Sequence, residues 1–297
     1  MAVACYETAY KNYGNCVCMD NGRIKLIATV DEGPRIIFFG FCDGPNVLFE
    51  DYERNFYEIN PGYGVWYAYG GHRIWCAPEK MPETYLPDNS KVDISFDGNV
   101  LTLTPPRTIF DKQYSLVCTM NDDDSVTIQN RITNSSDKAM EFAPWSVTGL
   151  APGGTEFIPL CRDNNGFLPN RTMSLWSYAD IYDTRFTLAN KYALLRQNPE
   201  EKTAFKAGFN VTDGYIAYIL GSQMLKVSVE EYHRIEYPDF CCNFETYTNE
   251  LFLECEILGE LRNYEPGETA SITEKWELSH VKGSTDDVVE ELISERK

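Results

Sequence analysis

Apolar and polar residues alternate in short runs along most of the chain, and turn-forming residues separate the runs. Residues 23–30 and 35–41 are β-rich and flank Asp31-Glu32-Gly33-Pro34, which reads as a turn. Residues 92–96 and 100–104 alternate around Asp97-Gly98-Asn99, a hairpin signal. Residues 114–120 and 125–132 flank the acidic turn Asn121-Asp122-Asp123-Asp124, and further strands are predicted over 214–220, 224–229, 252–258 and 270–278. One segment has helical spacing, about residues 285–296, where Val288, Val289, Leu292 and Ile293 share a face. Many short strands without a βαβ rhythm predict an all-β, antiparallel sandwich with a short C-terminal helix. No Pro- or Ser-rich linker, low-complexity tract or internal repeat interrupts the pattern. The chain therefore reads as one domain over 1–297, with a helical tail at 286–296. The least regular stretches, 51–86 and 159–206, are where loops that carry function are expected.

Composition narrows the functional classes. A formal net charge of −19 argues against a nucleic-acid partner, because phosphate backbones need a basic face, and against anionic membranes. No apolar run approaches the roughly 20 residues that a bilayer span requires. The N-terminus, Met1-Ala2-Val3-Ala4-Cys5-Tyr6-Glu7, has neither a basic nor an apolar region of a signal peptide. The ten cysteines are accordingly read as reduced, packed thiols in a cytoplasmic protein. Cys16-x-Cys18 and Cys241-Cys242 lack zinc-site spacing, and Asp122-Asp123-Asp124 lacks the pattern of a calcium loop, so no metal is predicted. Phosphate-loop, dinucleotide and nucleophile-elbow fingerprints are missing, and no cofactor is expected.

Three passages, in order, carry a family resemblance. The first is Asp31-Glu32-Gly33-Pro34-Arg35-Ile36-Ile37 leading to Asn46-Val47-Leu48-Phe49. The second is Tyr69-Gly70-Gly71-His72-Arg73-Ile74-Trp75-Cys76-Ala77-Pro78-Glu79. The third is Phe244-Glu245-Thr246-Tyr247-Thr248-Asn249, then Leu258 and Glu265-Pro266-Gly267-Glu268, before a last strand ending in Trp276. Over most of 22–279 the chain resembles the galactose-mutarotase-like superfamily, of which the aldose 1-epimerases are members. The resemblance implies an antiparallel β-supersandwich that binds a small-molecule carbohydrate. It also implies anomerisation: a base takes the C1 hydroxyl proton, an acid protonates the ring oxygen, and the opened ring recloses on its other face.

On this resemblance Glu245 occupies the position of the catalytic base. The mid-chain His that serves the epimerases as acid has no counterpart in Ala143-Pro144-Trp145-Ser146-Val147-Thr148-Gly149-Leu150, and near the family's later Asp stands Ala204-Phe205-Lys206-Ala207-Gly208. His72 or Arg73 is then the candidate electrophilic partner. The adjacent glycines let a ligand approach the backbone, or simply form a tight turn, and Arg73 offers a planar donor fork. Trp75 and Trp145 are candidates for stacking on a sugar face, with a core role as the alternative. Lys206 is either a cation for an anionic sugar substituent or a snorkelling surface residue. Glu79 is placed at the pocket rim. His233 and His280 read as a solvated strand end and a residue without a role. Two further functions stand beside anomerisation: a non-catalytic sugar-binding module, and another sugar isomerase or lyase on the same scaffold.

Overall fold

The computed structural model describes residues 3–229 and 235–296; His233 lies outside them. Among the described residues the chain forms two large antiparallel sheets, of eleven and ten strands, and a two-stranded ribbon. The first sheet runs in the order Ala4–Ala9, Asn15–Asp20, Ile24–Thr29, Ile36–Phe41, His72–Ala77, Met140–Leu150, Leu253–Leu258, Phe244–Thr248, Phe205–Phe209, Met173–Leu175, with Arg262–Tyr264 paired to the start of Met140–Leu150. The second has Thr269–His280 and Ser125–Asn134 near its middle.

Inner-face side chains of both sheets form one apolar cluster. Phe205, Phe244 and Cys255 from the first sheet join Ile128, Leu225 and Trp276 from the second, all buried. Each such side chain withdrawn from water stabilises the fold by roughly 1.5–3 kcal/mol. The predicted hairpins form in the predicted places: Asp97 pairs with Val100 around Gly98-Asn99, and Met120 pairs with Val126 around the acidic turn. The C-terminal helix spans Thr285–Glu295 and opens with a capping box in which Ser284 and Asp287 exchange side-chain-to-backbone bonds. Its Val288, Val289 and Leu292 cover Phe157, Leu194, Ala217 and Ile219 on the outer face of the second sheet.

The two irregular stretches contain strands that the pattern does not show. Tyr57–Asn60 and Gly64–Tyr67 form the separate ribbon, whose first strand leaves Tyr57, Glu58 and Ile59 exposed. His72–Ala77 is almost wholly buried on both faces, its polar His72 and Arg73 as completely as its apolar residues, so it shows no alternation of wet and dry positions. Met173–Leu175, Phe186–Leu188 and Tyr192–Arg196 are the strands of the second stretch.

Candidate active site

Successive side chains of a strand point to opposite faces, so register alone assembles a site on the outer face of the first sheet. Across Met140–Leu150, Trp145 lies opposite Trp75 and Val147 opposite Arg73. On its other side Val147 faces Glu256 and Gly149 faces Glu254. Glu256 then lies opposite Glu245 and Glu254 opposite Tyr247, while Lys206 pairs with Tyr247 and Gly208 with Glu245. Five strands thus direct Arg73, Trp75, Trp145, Lys206, Glu245, Tyr247, Glu254 and Glu256 to the same side.

At the centre, Lys206 Nζ lies 2.8 Å from Glu245 Oε2 and 2.9 Å from Glu256 Oε2. Its ammonium sits between two indoles, 4.8 Å from the ring of Trp145 and 4.6 Å from that of Trp176. Trp145 Nε1 donates to Glu256 Oε2 at 2.8 Å. Glu245 and Glu256 are 1% exposed and Lys206 5%, so these charges meet in a water-poor setting where pairing is strong and imbalance costly. Part of that dryness comes from Gly208. A Cβ there would sit 2.7 Å from Cys242 Sγ and 3.4 Å from Glu245 Cγ, so the glycine leaves room for a buried thiol beside the carboxyl.

Burial, opposed by Lys206 and reinforced by the charge of Glu256, pushes the Glu245 carboxyl up to about 9. Glu256 is also raised by burial, with Lys206 opposing, and it accepts from both the indole and the ammonium. Burial alone would lower Lys206, but Glu256 and Glu245 hold it above the ordinary lysine range. One cation between two carboxyls is neutral overall when one carboxyl keeps a proton, and Glu256 accepts two hydrogen bonds, from the indole and the ammonium.

Arg73 stacks 4.0 Å from the ring of Trp75 and 5.3 Å from that of Trp66, with Nη2 donating to Glu254 Oε1 at 3.1 Å. Trp75 is half-buried and meets Trp145 edge-on at 5.1 Å, which continues the aromatic wall. Glu79 is exposed beyond this wall and accepts from Tyr85 Oη at 2.7 Å; Tyr85 packs edge-on to Trp75 at 5.3 Å. Among the described residues, three buried polar atoms on this face have no hydrogen-bond partner: Glu245 Oε1, Glu256 Oε1 and Arg73 Nε.

His72 is not part of this group, and its pairing with Glu245 is corrected. As the neighbour of Arg73 it points to the inner face, fully buried, with Nδ1 2.8 Å from Thr148 Oγ1 and Nε2 2.8 Å from Asn130 Oδ1. Burial holds it below the ordinary imidazole range, so it is a neutral structural group. Gly70 and Gly71 likewise leave no room for a ligand. A Cβ on Gly71 would meet Ile36 O at 2.0 Å and one on Gly70 would meet Phe49 O at 2.3 Å, so the glycines admit neighbouring backbone. Lys206 is not a surface residue. Glu256 and Glu254 were absent from the sequence reading, although Glu254-Cys255-Glu256 places two carboxylates at period two within an apolar strand, a visible sign of one shared polar face.

No family model matches the chain, and no curated protein matches it in sequence. Solved structures do match. A galactose mutarotase-like protein from Lactobacillus casei is 10% identical, with a TM-score of 0.59 over 89% of this chain and 100% of its own. A galactose mutarotase related enzyme from Lactobacillus acidophilus is 9% identical, with a TM-score of 0.54 over 95% of this chain and 99% of its own. A TPR-domain containing protein from Parabacteroides distasonis is 13% identical, with a TM-score of 0.61 over 89% of this chain; the match spans 47%, about half, of that protein. Two stacked antiparallel sheets, a short C-terminal helix and these matches together establish that the chain has the galactose mutarotase-like fold.

Proposed function

We propose that the protein binds a small carbohydrate on the outer face of the first sheet and interconverts its anomers. The observation that carries this reading is the buried Glu245–Lys206–Glu256 cluster, in which one lysine meets two carboxyls that burial holds above their ordinary range. Glu245 gives its proton to the ring oxygen, Glu256 takes the proton of the C1 hydroxyl, and reclosure on the other face returns both. This assigns the acid role to Glu245 and the base role to its cross-strand partner. The unpartnered Glu245 Oε1, Glu256 Oε1 and Arg73 Nε suit a ligand rich in hydroxyl groups, which both donate and accept. Trp75, at the half-buried end of the aromatic wall, offers a surface for the C–H face of a pyranose.

The test is exchange spectroscopy on dissolved aldoses and their 6-phosphates. Wild type accelerates exchange between anomers, and Glu245→Gln lowers that acceleration by on the order of 10²–10⁴-fold while ligand-induced shifts persist. Equal acceleration by the variant would refute the assignment. One observation favours a second reading, a sugar-binding module without turnover: Trp176 closes over Lys206, and the carboxyls beneath are nearly inaccessible. That reading predicts ligand-induced shifts with no acceleration by wild type. Among the described residues no helix is long and apolar enough to cross a membrane. The free state of all ten cysteines supports placing the protein in the reducing cytoplasm.

A further inference from the structure

A ligand can meet Glu245 and Glu256, each 1% exposed, only if a covering group moves. The groups closed around their shared ammonium are the indoles of Trp145 and Trp176, 4.8 Å and 4.6 Å from Lys206 Nζ. The two are held in unlike ways. Trp145 lies on Met140–Leu150, a strand paired on both sides, and is 4% exposed. Its Nε1 donates to Glu256 Oε2, and its ring packs with Ala77, Ala143, Val147 and Leu258. Moving it would break a buried hydrogen bond and open an apolar cluster.

Trp176 has none of these restraints. It follows Met173–Leu175, a short strand at the sheet edge, and lies in an irregular turn closed by Ala179 N–H donating to Trp176 O at 2.9 Å. The backbone is anchored before it, where Ser174 Oγ donates to Asp239 O at 2.9 Å, and after it, where Ala179 packs on the core. Between those anchors the indole is half-buried. Among the described residues it makes no hydrogen bond and no ring contact, and the Lys206 ammonium is its one polar partner. A cation–π contact of this kind favours the closed position by on the order of tenfold, which thermal motion overcomes. Rotation of the side chain suffices, since the backbone on both sides is held.

We propose that the Trp176 indole is a gate, which swings off Lys206 to admit a sugar to Glu245 and Glu256 while Trp145 stays in place. What enters rests on the proposed sugar-binding function; the opening itself is measurable without a sugar.

The experiment is labelling of the full chain with a water-soluble carbodiimide and glycine ethyl ester, followed by peptide mass spectrometry. The carbodiimide, a probe about the size of a hexose, activates a carboxyl that it reaches. Activated Glu245 is then consumed by the added amine or by the neighbouring Lys206 amine, and both products count. Glu156 is the internal reference: fully buried opposite the core residues Leu195 and Tyr218, it is reached only when the whole fold opens. In wild type Glu245 is consumed well ahead of Glu156. Trp176→Ala speeds Glu245 by about tenfold and leaves Glu156 unchanged, and Trp176→Phe, with a weaker ring, falls between. Wild-type Glu245 as slow as Glu156, or a Glu245 rate unmoved by both substitutions, would overturn the gate. Lack of anomeric exchange by wild type would instead refute the sugar reading and leave these rates as they are.

Discussion

At Glu245 three effects compete, and their order decides the charge state. Burial raises the carboxyl most, Lys206 lowers it and Glu256 raises it again, so the group stays protonated at neutral pH. The lysine is what makes two buried carboxyls tolerable. Exposed pairs such as Lys275–Asp123 contribute about 0–1 kcal/mol, whereas removing one partner of a buried cluster costs about 3–5 kcal/mol. Lys206→Met is thus expected to lose about 3 kcal/mol in urea unfolding; a loss like that of an exposed pair would mean the cluster is solvated. Glu245 and Trp145 were singled out from their place in the resemblance, and register puts both on the outer face of the first sheet. Glu256 was not, because a cross-strand partner is set by register, which no local pattern reveals. The same period-two rule separates His72 from Arg73: neighbours in sequence, they serve opposite faces of one sheet.

Among the elements, His72–Ala77 depends on how its strand is entered. Gly71 has φ +64° and packs against the backbone of Ile36, so a side chain there is strained by both conformation and contact. Gly71→Ala is expected to destabilise the protein by at least about 2 kcal/mol, read as a lowered urea midpoint. An unchanged midpoint would show that the neighbouring strand yields easily. Strands with one wetter and one dry face, such as Val100–Thr104, were readable because their alternation records the boundary between core and water. The strand at Tyr57–Asn60 was not, since little of it is covered. The helix at Thr285–Glu295 was readable at both ends, because its cap and its apolar stripe are local features.

For the whole molecule, the net charge of −19 coexists with carboxyls that folding keeps neutral. Glu156 is fully buried and burial holds it well above the carboxylate range, as burial does Glu245. A carboxyl raised on folding binds more protons in the native state than in the unfolded one between its two pKa values. Its contribution to stability is therefore complete below the unfolded value and lost as pH rises through the folded one. For Glu245 that window runs from its ordinary 4.5 to about 9. Wild-type stability should fall across this range more steeply than that of Glu245→Gln, whose side chain cannot ionise; parallel slopes in urea titrations would contradict a buried neutral acid. The same proton underlies the proposed reaction, so the pH profile of anomeric exchange is the most direct measurement. The account predicts that the rate falls as pH rises through about 9, where Glu245 loses its proton, and that Glu245→Gln abolishes this limb. A wild-type rate that holds constant through that pH, or no acceleration at any pH, would contradict it.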